Sequence, residues 1–258
     1  MDTWRLIIDG GAGGARNMAV DRAVLSSHEA GVAPPTLRLY RWNRPTVSLG
    51  RFQDVADVDR AYCRAHAIGL CRRPTGGRGV LHDDELTYSV VAGVRDGLPR
   101  GVAASYRKLC GALAEAYRAL GIAADLTARS RGPRGTGACY LHATPADLSH
   151  GAAKLSGSAQ VWSRDSCLQH GSFVLTRDIG REASVFRLDD AAASALRETT
   201  RTIVDACGSR PEDDGTLEAA IVSGFERALG IRIEPGILSA DEERAAVEGT
   251  DEFEVRVS

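Results

Sequence analysis

Along residues 36–42, "TLRLYRW", apolar and polar side chains alternate, the period of a strand with two unlike faces. A proline-bearing turn, "NRP", follows, and then a second strand-like run, "TVSLGRF". The opening "TWRLIID" is also strand-like. Between it and residue 36, "ARNMAVDRAVLSSHEAG" spaces Met18, Val20, Val24 and Leu25 as a helix does and is closed by Gly31. A further helix is expected around 55–67. The stretch "IGLCRRPTGGRGVLHDDELTYSVVAG" then predicts a strand, a glycine-rich loop, a turn and a second strand over 85–92.

The clearest helix is "GVAASYRKLCGALAEAYRALG", where Leu109, Leu113, Ala116 or Tyr117 and Leu120 recur every three or four residues, with Gly121 just past the end. Residues 127–137, "TARSRGPRGTG", have no period and read as a mobile loop. "AKLSGSAQVWS" and "CLQHGSFVL" read as consecutive strands joined by a short "RD" turn. From about 189 the pattern is helical, best seen in "TLEAAIVSGFERALG" and "SADEERAAVEG". Strands mixed with helices throughout, with no internal repeat, predict an α/β or α+β fold. A single domain over 1–258 is expected, with a helical C-terminal segment from about 189.

Composition narrows the function classes. With 32 basic and 34 acidic residues the formal net charge is -2, so nothing electrostatic points to nucleic acid or to a membrane surface. The opening "MDTWRLIIDG" is no signal peptide, and no apolar run approaches the ~18 residues of a membrane span, so a cytoplasmic protein is expected. Six cysteines, at 63, 71, 110, 139, 167 and 207, include no C-x-x-C pair, and disulfides are not expected. The cluster Cys63, His66 and Cys71 has irregular spacing and no obvious fourth ligand for zinc. "HDDE", 82–85, alternates faces on a strand, so an exposed acidic turn is expected there rather than a metal site.

Three features carry candidate chemistry. The loop "RRPTGGRGV" places Thr75, Gly76, Gly77 and Gly79 beside Arg72, Arg73 and Arg78; its glycines permit close approach to main-chain N–H groups and its arginines suit an anionic or carbonyl-bearing ligand. The spacing is neither that of a P-loop nor G-x-G-x-x-G, and a purely structural turn is the competing reading. Cys139 follows the glycine-rich segment; it is either a small buried apolar residue or a nucleophile presented by a loop. Third, the chain holds 30 arginines and only two lysines, Lys108 and Lys154. Lys108 suits a solvated helix face. Lys154 stands among small residues, and a compact ammonium near a thiol would favour its thiolate and could exchange a proton, which arginine does not. The competing reading is an ordinary exposed strand lysine. Gly157, Ser158, Ala159, Gly171 and Ser172 would leave room for a slim ligand on the sheet, or serve only close packing.

"RRPTGGRGVLHDDELTYSV", "ACYLHATPADLSHGAAKLSGSAQ" and "LQHGSFVL" together resemble the lipoate–protein ligase/octanoyltransferase family, most of all its octanoyl-[acyl carrier protein]:protein transferase (LipM-type) branch. "NMAVDRAVL", "LRLYRWNRPTVSLGRFQ" and "ALGIRIEPGILSADE" fit as well, so the resemblance spans about 3–245. It implies a mixed, largely antiparallel α/β domain of the biotin/lipoyl-ligase kind. It implies that Cys139 is the acyl-thioester nucleophile, with Lys154 favouring the thiolate and holding the acyl carbonyl. Arg72, Arg73, Thr75–Gly79, His82, Gly157–Gln160 and His170–Ser172 would line the substrate pocket. The implied donor is octanoyl-acyl carrier protein and the implied acceptor a lysine of a lipoyl domain, such as glycine cleavage H protein or a 2-oxo acid dehydrogenase E2, with neither metal nor nucleotide cofactor. The chain departs from the pattern at Gly79, Tyr140 and Ala153, where Ala, Phe and a charged residue are common; no chemical group of the proposed site is lost. An ATP-dependent lipoate–protein ligase, a lipoyl-domain amidotransferase and a non-catalytic lipoyl-domain binding module remain alternatives on the same fold.

Overall fold

The computed structural model describes residues 2–127, 138–141 and 147–256. In chain order it contains β1 (Thr3–Ala12), α1 (Gly14–Glu29), β2 (Thr36–Trp42), β3 (Thr46–Leu49), α2 (Arg60–Ala65), β4 (Gly69–Arg72), β5 (Val80–His82), β6 (Glu85–Gly93), α3 (Val102–Ala119) and β7 (Asp125–Leu126). Then come β8 (Leu148–His150), β9 (Ala153–Ser156), β10 (Ser158–Ser163), β11 (Ser166–Val174), α4 (Ile179–Phe186), α5 (Asp190–Thr199), α6 (Ile203–Cys207), α7 (Asp214–Leu229), β12 (Arg232–Pro235) and α8 (Ala240–Glu248). Apart from Thr127, the loop expected at 127–137 lies outside the described residues.

The main sheet has the order β10-β11-β6-β2-β1-β12, antiparallel as far as β2 and parallel beyond it. Two three-stranded sheets, β4-β3-β5 and β7-β8-β9, complete a mixed, largely antiparallel α/β fold. Leu37 and Leu39 of β2 point to one face of the main sheet and pack with Leu109, Leu113, Leu217, Ile221 and Phe225 of α3 and α7. Gly224 makes that helix pair close: a Cβ there would stand 2.4 Å from the Ala116 nitrogen. Tyr40 and Trp42 point the other way, into a cluster with Met18, Val20 and Val24 of α1. The alternation in β2 therefore separates two buried faces, not a wet one from a dry one. Arg38, the polar member, is only 2% exposed. It bonds Asp9, Asp21 and Asn17, so a buried cation is compensated by anions and amide oxygens.

Three elements differ from expectation. "AKLSGSAQVWS" is not one strand: it breaks at Gly157, and β9 and β10 belong to different sheets. The helix expected at 55–67 is a short 3-10 turn, Val55–Asp57, followed by α2; Asp54 and Asp59 each cap one with a side-chain oxygen. The helical C-terminal segment contains β12, which pairs in parallel with β1 and buries only Ile233, too little for a readable period. Among the described residues no helix is long and apolar enough to cross a membrane.

Candidate active site

A cleft of about 550 Å3, counted to its open mouth, is lined by Met18 of α1, Tyr40 and Trp42 of β2, Ser48 of β3, Val80 and His82 of β5 and Thr87 of β6. Arg73 and Gly77 of the glycine loop, Cys139, Tyr140, Gly157–Ser158–Ala159 and His170–Gly171–Ser172 close it. Three stretches far apart in sequence, 73–82, 139–140 and 157–172, are thus brought to one cavity. Most of its exposed surface is apolar.

Cys139 is half-buried, and its main-chain N–H donates to the Gly79 carbonyl at 2.9 Å, which fixes it beside the glycine loop. Lys154 is buried, at 4% exposure, so the exposed-lysine reading fails. Its Nζ lies 3.0 Å from Asp147 Oδ2 and 3.5 Å from the Cys139 carbonyl oxygen. It also stands 5.4 Å from the centre of the Tyr140 ring. Asp147 in turn accepts from the Tyr106 hydroxyl at 2.9 Å. The ammonium is therefore delivered to the Cys139 peptide, with its charge balanced by a carboxylate that sequence reasoning missed. Gly157 gives it passage: a Cβ there would lie 2.9 Å from both Lys154 Cε and Nζ.

Arg73 is a second buried cation at the site, 5% exposed. Burial lowers its pKa from the ordinary arginine value, and Cys139 and Cys71 oppose this, which puts the guanidinium within electrostatic reach of the Cys139 thiol. Its N–H groups are taken up by the carbonyls of Ser48, Gly76 and Arg78 and by the Ser48 hydroxyl. Arg73 thus offers the cleft charge while it shapes the loop, in which Gly77 adopts a φ of +101°.

Two histidine–carboxylate pairs flank the cavity. His82 Nδ1 lies 2.7 Å from Glu85 Oε1 and its Nε2 lies 2.8 Å from Ser48 Oγ. Trp42 stacks on the imidazole at 4.0 Å. His170 Nδ1 lies 3.1 Å from Asp21 Oδ2, and its Nε2 lies 2.7 Å from Thr75 Oγ1. Burial pushes the His170 pKa below the ordinary histidine value, against the pull of Asp21. Burial would raise the Asp21 carboxyl, but His170 and Arg38 hold it below the usual carboxylate range. Glu85 is likewise held down, against burial, by His82, Thr87 and Ser172. The acidic turn expected at "HDDE" is thus only half right. Asp83 and Asp84 face outward to Arg181 and Arg210, whereas Glu85 is 2% exposed.

Residues 14–214 match the lipoyl protein ligase A/B catalytic domain. The chain belongs to that family. Its curated relatives include the octanoyltransferase LipM of Kyrpidia tusciae, 40% identical over 95% of this chain and 94% of the relative. The LipM octanoyltransferase of Symbiobacterium thermophilum is 39% identical over 94% and 92%. Among solved structures, lipoate-protein ligase A bound with ATP superposes with a TM-score of 0.81 at 25% identity, covering 97% of this chain and 95% of that one. The expected fold and family are both found.

Within this family frame, the predicted residues divide. Arg73, Gly77, His82, Cys139, Gly157, Ser158, Ala159, His170, Gly171 and Ser172 line the cleft. Lys154 stands behind it, against Cys139. Thr75 is fully buried and holds His170. The Gly76 and Arg78 carbonyls are ligands of Arg73, and Gly79 anchors Cys139. Arg72 is turned away from the cleft and staples the outer loop through the carbonyls of Gly50, Arg51 and Gln53. Gln160 faces α3, bonding Ser105 and Gln169. Ser48, Asp21 and Asp147 escaped notice because a single polar residue on a strand, a helix or a loop carries no local signal of what it faces, and Glu85 was read only as part of an exposed acidic turn. Among the described residues no group of His, Cys, Asp and Glu could hold a metal, and Cys63 and Cys71 are packed in different hydrophobic clusters.

Proposed function

We propose that this chain is an octanoyltransferase of lipoate biosynthesis that works through a thioester on Cys139, with octanoyl-acyl carrier protein as donor and a lysine of a lipoyl domain as acceptor. The observation that carries the reading is one half-buried cysteine on the wall of an apolar cleft, with the ammonium of Lys154 at its carbonyl and the guanidinium of Arg73 within electrostatic reach. Cys139 sulfur attacks the donor thioester carbonyl, the carrier thiol leaves, and the acceptor amine then displaces Cys139. Burying the six methylenes of an octanoyl tail at about 0.8 kcal/mol each contributes roughly 5 kcal/mol to recognition. The donor is already activated, so neither metal nor nucleotide is needed.

The runner-up is an ATP-dependent lipoate–protein ligase, favoured by the likeness to a ligase bound with ATP. Such an enzyme has no use for Cys139. Intact mass spectrometry after mixing the protein with octanoyl-acyl carrier protein, without ATP, separates the two. One octanoyl group on Cys139, discharged by an apo lipoyl domain such as H protein or an E2 domain, supports the transferase; modification of the lipoyl domain only with ATP and free acid supports the ligase. Cys139→Ser should block formation of the acyl-enzyme or leave a poorly transferring ester.

A further inference from the structure

The ring of Tyr106, on α3, belongs to the hydrophobic cluster that Leu109 and Leu113 of the same helix help to build. Phenylalanine would fill that space as well, so the hydroxyl is accounted for by what it joins. It lies 2.9 Å from Asp147 Oδ1, 3.0 Å from the Ser158 carbonyl oxygen and 3.1 Å from the Ser158 nitrogen. A hydroxyl has one hydrogen and two lone pairs. One lone pair takes the Ser158 N–H, and the hydrogen goes to Asp147, because a carboxylate is a stronger acceptor than a carbonyl. Burial, and then the charge of Asp147, push the Tyr106 pKa far above the ordinary phenol value, so the hydrogen stays in place.

The second oxygen of that carboxylate, Asp147 Oδ2, lies 3.0 Å from Lys154 Nζ, and the same Nζ lies 3.5 Å from the Cys139 carbonyl oxygen. A continuous series therefore runs from the Ser158 main chain in the cleft wall, through Tyr106, Asp147 and Lys154, to the Cys139 peptide. Tyr106, Asp147 and Lys154 are all buried, so water competes little for these bonds. The series also crosses a junction that strand pairing leaves open. Lys154 is on β9 and Ser158 begins β10, and the two strands belong to different sheets with Gly157 between them. No ladder between β9 and β10 sets the ammonium against the cleft wall; the Tyr106 hydroxyl ties the two together from α3.

We propose that Tyr106 is a positioning residue of the transfer: its hydroxyl clamps Asp147, and with it the Lys154 ammonium, to the first residue of β10, and so fixes the ammonium at Cys139. This deepens the octanoyltransferase reading above and rests on it. Lys154 remains the group that acts on Cys139 and the acyl group, and Tyr106 works only through it. Tyr88 offers a comparison within the same wall. Its hydroxyl lies 2.6 Å from Ser158 Oγ and accepts from Gln169 at 3.0 Å, so it holds Ser158 by the side chain and leads to Gln169 instead of Asp147.

The test is a double-mutant cycle read on Cys139 itself. The protein is alkylated with iodoacetamide at pH 7 and each cysteine is followed by peptide mass spectrometry, with the exposed Cys207 as the reference in the same molecule. Tyr106→Phe should slow Cys139 alkylation about threefold, through loss of thiolate, and leave Cys207 unmoved. Single-turnover acyl-enzyme formation at saturating octanoyl-acyl carrier protein should slow by about tenfold, with the KM for the donor little changed. In a Lys154→Met background, checked for folding by urea denaturation, Tyr106→Phe should have no further effect on alkylation. Asp147→Asn/Lys154→Met is the background if the single substitution does not fold. Tyr88→Phe should slow alkylation by less than Tyr106→Phe does. Parental alkylation and acylation in folded Tyr106→Phe overturn the clamp. So does an equal loss with and without Lys154, or an equal loss in Tyr88→Phe, since a loosened cleft wall would then explain both. Acylation of the parent protein is the separate control: its absence sinks the octanoyltransferase reading, while the alkylation cycle, which needs no acyl donor, still decides the clamp.

Discussion

Gly157→Ala probes whether the small residues at the break between β9 and β10 make room for the acyl tail or for the lysine. The added methyl would sit 2.9 Å from Lys154 Cε and Nζ, where ordinary contact begins at 3.4 Å, so the ammonium must shift by about half an ångström. It is held at 3.0 Å from Asp147 and 3.5 Å from the Cys139 carbonyl, so the shift acts directly on the Cys139 peptide. A misplacement of about 1 Å costs around 10²-fold in rate, so roughly tenfold is expected here. Stability should fall by up to about 2.5 kcal/mol: the methyl removes about 0.4–1 kcal/mol of unfolded-state freedom and adds about 1–3 kcal/mol of crowding. The assay is the single-turnover rate of acyl-enzyme formation with octanoyl and hexanoyl donors, read by mass spectrometry. Loss by the same factor for both chains identifies the lysine as the tenant. Loss confined to the octanoyl donor assigns the space to the tail, and an undiminished rate for both refutes the geometric argument altogether.

Asp147→Asn removes one partner of an ion pair whose side chains are 4% and 2% exposed, and should cost about 3–5 kcal/mol in urea denaturation. Adding Lys154→Met should restore much of that stability but no activity. Because burial holds the His170 pKa below the ordinary value, the folded state favours the neutral ring. The stability this contributes is complete above about pH 6.5 and is lost as pH falls from there toward the folded-state value, at up to about 1.4 kcal/mol per pH unit. Urea midpoints between pH 7 and 5 should fall accordingly and flatten in His170→Gln; an unchanged slope in that variant contradicts the assignment. Gly224→Val places a branched side chain where even a Cβ would lie 2.4 Å from the Ala116 nitrogen, and should force α3 and α7 apart. The expected loss is about 3 kcal/mol or more, and parental stability would show that the helices do not pack this closely.

Much of this molecule was legible because its signals are local. The period-2 pattern in β2 and the helical spacing with a terminal glycine in α3 are written in neighbouring residues, and both elements stand where they were expected. The scarcity of lysine singled out Lys154 before any geometry was known, and the motif order then attached Cys139 to it. What the pattern could not carry was which side of a strand meets solvent. Arg38 and Glu85 are polar residues that the fold buries, because α1 covers one face of the main sheet and the β3–β5 layer closes over the cleft. Their burial is tolerable only because partners distant in sequence meet them there, Asp21 for Arg38, and Thr87 and Ser172 alongside His82 for Glu85. The chain by itself therefore determined its elements, its family and the two residues at the centre of the proposed chemistry. Only the tertiary structure decided that Asp147 balances the lysine, that Arg72 serves the outer loop while Arg73 serves the site, and that Ser48 and His82 meet in the cleft. Those pairings depend on distances between strands that no local period encodes.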